Sequence, residues 1–307
     1  MPNTPAHHET APAKINLTLA VTGRRKDGYH MLDSAVIFAA IGDRISLKPG
    51  DIDQLEITGD FAEDLADAPR AENSVWQSLT AFRGATGWNQ AFEITLRKDL
   101  PVAAGIGGGS SDAAAMLRLL NRLAPTPLAP AALADMALGL GADVPVCLKA
   151  VEGGMWRMRG IGELIEPLPA ITNLGIVLVN NGTKVATRDV FAAFGAIDDG
   201  SCDAPQKLYS TPHPFPGSAN LSALGAWITG GNDLLLPAIT VAPGIAKSLD
   251  DLTAMKSCPG FIASGMSGSG ATCFALFTDA DAAISALKSS EKIPGWCWAG
   301  GVCGIST

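Results

Sequence analysis

Four of the ten residues from Val102 to Ser111 are glycine, and no side chain among them is larger than that of Ile106. Directly behind this run, Ala113, Met116, Leu117 and Leu120 fall at i, i+3, i+4 and i+7, the apolar face of an amphipathic helix. Ser110, Ser111 and Asp112 stand where N-cap and first-turn residues belong. A glycine-rich loop entering a helix leaves several backbone N–H groups unpaired at the positive end of the helix dipole. That is an anion site, and its usual occupant is phosphate. The alternative, a tight turn whose glycines only supply positive φ, needs one or two glycines rather than three in a row.

Two other stretches carry groups that could do chemistry. From Ala13 to Val21 the residues alternate, with Ile15, Leu17 and Leu19 on one face of a strand and Lys14, Asn16 and Thr18 on the other. In a surface strand that polar face simply meets water. The segment that follows, Gly23 to His30, is a polar loop ending in Tyr29 and His30, and loops beside strand ends often carry function.

The phosphate motif is not one of the widespread ones. No Gly-Lys-Ser/Thr occurs, which excludes a Walker A loop. Ser110 occupies the third glycine position of the dinucleotide fingerprint, and no acidic residue about 20 positions further on could hold a ribose. The His-Arg-Asp and Asp-Phe-Gly triplets of protein kinases and the Gly-x-Ser-x-Gly elbow are absent.

The elements that must position these groups read as follows. Ser34–Ala40, Asp43–Lys48 and Leu55–Thr58 are strands. Asn73 caps a helix presenting Val75, Leu79 and Phe82, and the strand Phe92–Arg97 feeds directly into the glycine loop. Pro130 opens a helix that ends around Gly139 to Pro145, and Met155–Arg159 is a strand. A composition change at Glu166–Pro169 suggests domains of residues 1–166 and 167–307. In the second, Leu174–Val179 is a buried strand and Thr187–Phe194 a short helix, and the Pro-rich piece Ala204–Pro216 is a surface connection. Pro243 opens a helix to about Met255. Phe261–Ser264 and Ala271–Phe277 form a strand pair around a second Gly/Ser turn, Thr278 caps a last helix, and a strand at Trp296–Trp298 closes the chain. The first half is of α+β type and the second an α/β sandwich of ferredoxin-like type.

At 307 residues the chain can build a substantial core. A composition of 47% apolar and 17% charged residues is that of a soluble globular protein, and a net charge of −8 argues against binding a nucleic-acid backbone. Six scattered cysteines without a CxxC pair, and four histidines of which His7 and His8 lie in a polar N-terminal tail, offer neither a disulfide framework nor a zinc cluster. With no membrane-helix stretch and no signal peptide, the expected location is the cytoplasm.

The pattern Pro-x3-Gly-x-Gly-Gly-Gly-Ser-Ser-Asp-Ala-Ala from Pro101 resembles the second motif of the superfamily named after galactokinase, homoserine kinase, mevalonate kinase and phosphomevalonate kinase. Pro12–Leu17 followed by Gly23–His30, Gly141-Ala-Asp-Val-Pro145, Asn232–Leu235 and Ser267–Phe277 are similar, in order, to further motifs of its 4-diphosphocytidyl-2-C-methyl-D-erythritol kinase family. Ala103 and Ile106 depart from the Gly and Leu common there, Asn180–Lys184 is less typical, and Ser201–Ile228 has no counterpart.

The resemblance implies an N-terminal ribosomal-protein-S5-like domain, a C-terminal ferredoxin-like domain, and an active site in the cleft between them. It also implies ATP-dependent phosphorylation of the substrate's 2-hydroxyl, a step of the non-mevalonate route to isopentenyl diphosphate, with ATP and Mg²⁺ as cofactors and no metal-ligating residue assigned. By the same resemblance, Pro101, Val102, Ala103, Ala104, Gly105, Ile106, Gly107, Gly108, Gly109, Ser110 and Ser111 hold the ATP phosphates, Asp143 is the general base and Lys14 assists it. Asn16, Tyr29, His30, Thr187 and Phe191 bind the substrate, and the protein is a monomer or homodimer without membrane or nucleic-acid partners.

Without the resemblance, Asp143 reads as a turn residue, Lys14 as a surface charge, Ser111 as a helix cap, Tyr29 and His30 as loop packing, and Phe191 as core. Another kinase of the superfamily, of homoserine or mevalonate type, and a non-catalytic nucleotide-binding module are the competing readings; a dehydrogenase is the weakest.

Overall fold

The computed structural model describes residues 6–169, 171, 173–198, 210, 214–217 and 221–303. In chain order the elements begin with β1 (His7–Asn16), β2 (Ala20–Arg24), β3 (His30–Pro49), β4 (Gln54–Thr58), α1 (Ser74–Thr86) and β5 (Phe92–Arg97). Next come α2 (Gly108–Leu123), α3 (Pro130–Leu140), α4 (Val144–Leu148), β6 (Met155–Gly160), β7 (Leu164–Leu168), β8 (Gly175–Asn180) and α5 (Thr187–Asp198). The chain ends with α6 (Leu221–Thr229), α7 (Leu235–Val241), α8 (Gly244–Ala254), β9 (Phe261–Met266), β10 (Cys273–Phe277), α9 (Ala280–Ser289) and β11 (Trp296–Gly301).

These elements form two compact units, each assembled from separate segments. The first comprises residues 1–13, 41–102 and 107–151, and the second 14–40, 103–106 and 152–307. In the first unit, β5 pairs antiparallel with the second half of β3 and parallel with β4. The alternation of β5 is real: Phe92, Ile94 and Leu96 are buried, while Glu93, Thr95 and Arg97 are not. Asn73 caps α1 as its side chain accepts the Val75 N–H at 3.0 Å. Helix α2 is buried over more than one stripe, since Ala114, Ala115 and Leu119 join the expected face. The exception is Arg118, which lies along β1 and donates to Glu9 and to the carbonyls of Thr10 and Cys147.

In the second unit, β2 and β6 each pair antiparallel with the first half of β3, and β7 with β6. Strands β8 to β11 form a separate antiparallel sheet in the order β11-β8-β10-β9. With α5–α8 after β8 and α9 after β10, this is the ferredoxin-like arrangement expected. Every residue of β8 and β10 is buried, so both read as continuous apolar runs.

Several local expectations are corrected. His7 and His8 are not a free tail but the start of β1, with His8 hydrogen-bonded to Ser46 at 2.8 Å. The strand expected over Ala13–Val21 breaks after Asn16, because the chain turns there to bond Ala35 and Gly231 through Leu17 and Leu19. The two strands expected around Ala40 are one, since Gly42 marks no turn. A Cβ there would lie 2.3 Å from the Ala11 carbonyl oxygen, so the glycine permits close strand approach. Gly107, not a serine, caps α2, and Asp279 rather than Thr278 caps α9 by accepting the Ala282 N–H. Helices α4, α6 and α7 and strand β7 were not expected, and α5 runs four residues further than read. The Pro-rich piece lies mostly outside the described residues. No described helix is long and apolar enough to cross a membrane, and no disulfide joins the five described cysteines.

Candidate active site

The glycine loop is held by its carbonyls. In the second unit, Ala103 O accepts from Val185 N–H at 3.3 Å and Ala104 O from Thr272 N–H at 3.0 Å. Gly105 O accepts from the Ser267 hydroxyl at 2.9 Å, and Ile106 O from Lys14 N–H at 2.9 Å. Four consecutive acceptors are thus consumed by the fold, while the N–H groups of residues 103–110 have no acceptor among the described residues. Gly105 must be glycine: its φ is +72°, and a Cβ would sit 2.5 Å from the Gly270 carbonyl oxygen. Ala103 adopts a left-handed φ of 53° despite its side chain. Past the loop, Gly107 enters α2 with φ 65° and no side-chain cap, leaving the first-turn N–H groups to an outside acceptor. This is an anion cradle of the kind that phosphate fills.

Behind the start of α2 lies a cluster that sequence reasoning missed. Lys98 donates to Asp43 and, at 2.8 Å, to Asp112, and all three side chains are buried in the first unit. Asp43 also accepts the N–H groups of Asp99 and Leu100. Asp112 Oδ1 has no partner among the described residues. Burial, reinforced by the charge of Asp43, pushes the Asp112 carboxyl up to about 7 against the pull of Lys98. Burial works to lower Lys98, but the Asp112 and Asp43 charges prevail and hold its ammonium above the usual range. A Cβ on Gly108 would lie 3.6 Å from Lys98 Nζ, so the cluster sits directly under the cradle's helical half.

The polar face of β1 does not meet water: Lys14 is 3% exposed and Asn16 2%. Asn16 donates its side-chain amide to the Ser34 hydroxyl at 2.7 Å and its backbone N–H to the Ser267 hydroxyl at 3.1 Å. Its Oδ1 is buried without a partner among the described residues. A buried acceptor left open is costly unless a ligand hydroxyl supplies the proton.

Asp143 belongs to the first unit and Lys14 to the second. Asp143 precedes α4 at its N-cap position, and its side chain does not cap the helix. Ser111 is buried and donates to the Pro12 carbonyl at 2.7 Å, tying α2 to β1. In the second unit, His30 and Phe191 stack with centroids 4.6 Å apart, and Phe194 meets the His30 edge. Tyr29 is 59% exposed, and the described residues give it no ring partner. Thr187 opens α5 and hydrogen-bonds Ser269 of the Gly/Ser turn at 3.0 Å.

Among the described residues no group of three or more His, Cys, Asp or Glu could hold a metal ion.

Residues 73–150 match the model of the GHMP kinases N terminal domain, and residues 219–292 that of the GHMP kinases C terminal. A 4-diphosphocytidyl-2-C-methyl-D-erythritol kinase of Paracoccus denitrificans is 44% identical over 295 residues, covering 95% of each chain. A kinase of the same name from Cereibacter sphaeroides is 46% identical over 290 residues, covering 93% of this chain and 95% of that one. The crystal structure of a 4-(cytidine 5'-diphospho)-2C-methyl-D-erythritol kinase superposes with a TM-score of 0.74 at 30% identity, over 97% of this chain and 100% of that one. The crystal structure of L. major mevalonate kinase, at 14% identity and a TM-score of 0.71 over 100% of this chain and 99% of that one, shares the fold.

Proposed function

Because the chain belongs to the 4-diphosphocytidyl-2-C-methyl-D-erythritol kinase family of the GHMP kinases, we propose that it transfers the γ-phosphoryl group of ATP to the 2-hydroxyl of 4-diphosphocytidyl-2-C-methyl-D-erythritol. The observation that carries this reading is the loop whose four carbonyls, Ala103 to Ile106, are bonded inward while its N–H groups are left for an anion.

In the reaction, the 2-hydroxyl oxygen bonds to the γ-phosphorus as the bond from that phosphorus to the β–γ bridging oxygen breaks, and ADP leaves. Such a transition state is loose, so the protein's task is positioning and charge stabilisation. Asp143 accepts the hydroxyl proton. Lys14 stabilises negative charge on the transferring group. The open Oδ1 of Asn16 takes a hydroxyl of the methylerythritol chain. Tyr29 stacks on the cytosine, and the stacked His30–Phe191 pair packs against the base and reads its edge, with Thr187 beside them. Residues Pro101 to Ser111 wrap the ATP phosphates, whose charge a bound Mg²⁺ would help to neutralise.

A coupled ADP-release assay over four acceptors tests this: the diphosphocytidyl compound, homoserine, mevalonate and galactose. Turnover with the first alone is expected, and its absence there would overturn the assignment.

A further inference from the structure

Three motifs far apart in the chain meet at one hydroxyl. Ser267 Oγ accepts the backbone N–H of Asn16 at 3.1 Å and donates to the Gly105 carbonyl at 2.9 Å. The serine is fully buried, so neither bond competes with water. Its own backbone is fixed on both sides: Ser267 N–H donates to Thr272 O, and Ser267 O accepts from Gly270 N–H, each at 3.0 Å. Asn232 brackets it, donating its side-chain amide to Met266 O at 2.8 Å and Gly268 O at 2.9 Å. Asn232 is held in turn by accepting the Leu234 N–H at 2.9 Å.

The strand carrying Lys14 and Asn16 therefore touches the phosphate loop at two points. One is direct, from Lys14 N–H to Ile106 O. The other runs through the Ser267 hydroxyl. Two points fix both distance and angle, whereas one leaves a pivot. We propose that Ser267 is a positioning residue for phosphoryl transfer, holding the acceptor-binding strand in register with the loop that holds the donor phosphates. The inference rests on the kinase reading given above. A strand that pivots on its remaining bond would carry Lys14 and Asn16 out of line, while the loop stays held through the carbonyls of Ala103, Ala104 and Ile106.

The test compares wild type, Ser267→Ala and Ser267→Thr as full-length enzymes, by steady-state kinetics and by amide hydrogen exchange without substrates. For Ser267→Ala, kcat should fall about 30- to 100-fold, the scale of a roughly 1 Å misplacement, while KM for ATP stays within about 3-fold. Exchange at the Asn16 amide should quicken at least about 10-fold, with the β3 amides near Val36 unchanged. Ser267→Thr, which keeps the hydroxyl, should recover kcat to within about 5-fold of wild type.

An alanine variant with kcat within about 3-fold of wild type would overturn the proposal, as would unchanged exchange at Asn16 or equal losses in both variants. Should the alanine variant not fold, Ser267→Cys, near in size and poor as a hydrogen-bonding group, is judged by the same criteria. Should wild type fail to phosphorylate the diphosphocytidyl acceptor, the kinase reading falls. The exchange result then decides the joint alone: faster exchange at Asn16 supports it and unchanged exchange removes it.

Discussion

Lys98 hydrogen-bonds Asp112 at 2.8 Å with both side chains shut away from water, and the other oxygen of that carboxylate has no partner among the described residues. One ammonium serves two carboxylates, Asp43 being the second, so a full negative charge is left over beneath the start of α2 when both are ionised. Proton uptake by Asp112 removes it.

The pH dependence follows in sign. Asp112 keeps its proton to about pH 7 in the folded protein, against an ordinary 3.8. The folded state thus binds more protons than the unfolded between these values, and stability falls as pH rises through the window, with a slope of up to about 1.4 kcal/mol per pH unit. Urea unfolding of wild type and Asp112→Asn from pH 5 to 8 should show a stability difference that shifts against wild type up to pH 7 and then levels. Parallel curves would remove Asp112 as the titrating group.

Two neighbouring loop positions should respond in opposite ways. Gly105→Ala drives a Cβ to within 2.5 Å of a carbonyl oxygen, and should cost on the order of 3 kcal/mol and most activity. Ala103→Gly relieves a left-handed alanine at φ 53°, where the strain of about 1–2 kcal/mol outweighs glycine's extra unfolded-state entropy. Thermal melts should therefore rank Ala103→Gly at or slightly above wild type and Gly105→Ala well below.

For the proposed base, Asp143→Asn should lower kcat by about 10²- to 10⁴-fold. Unchanged turnover would assign proton acceptance elsewhere.

At the ring cluster, Phe191→Ala removes the partner stacked 4.6 Å from His30. KM for the cytidylyl acceptor should rise about 10-fold, in line with a stacking contribution of roughly 0.5–1.5 kcal/mol. KM for ATP should stay put; a rise in both would make Phe191 a packing residue only.

What was legible in the sequence was local. Asn73, the alternation of β5 and the glycine run each declare themselves within a few residues, and the structure shows Asn73 capping α1 and β5 alternating as read. The Lys98 cluster could not be read this way, because its carboxylates lie 55 and 14 residues distant in a chain with many surface charges. Gly42 misled, since a glycine that admits a neighbouring backbone and one that turns the chain look the same. Helix α4, five residues of Val-Pro-Val character, carries no helical period to detect. Two of the five passages of the chain between units, at Ala13–Lys14 and Ala40–Ile41, fall inside strands where composition does not change. The Ser267 joint was half visible: its motif was recognisable, but its bonds to Asn16 and Gly105 span 251 and 162 residues.

Phosphorus NMR of the complete reaction bears most directly on the central claim. With ATP, Mg²⁺ and 4-diphosphocytidyl-2-C-methyl-D-erythritol, one new phosphomonoester resonance should appear for each ADP formed, while the acceptor's own diphosphate resonances persist. ADP accompanied by inorganic phosphate alone, or no loss of ATP, would contradict it.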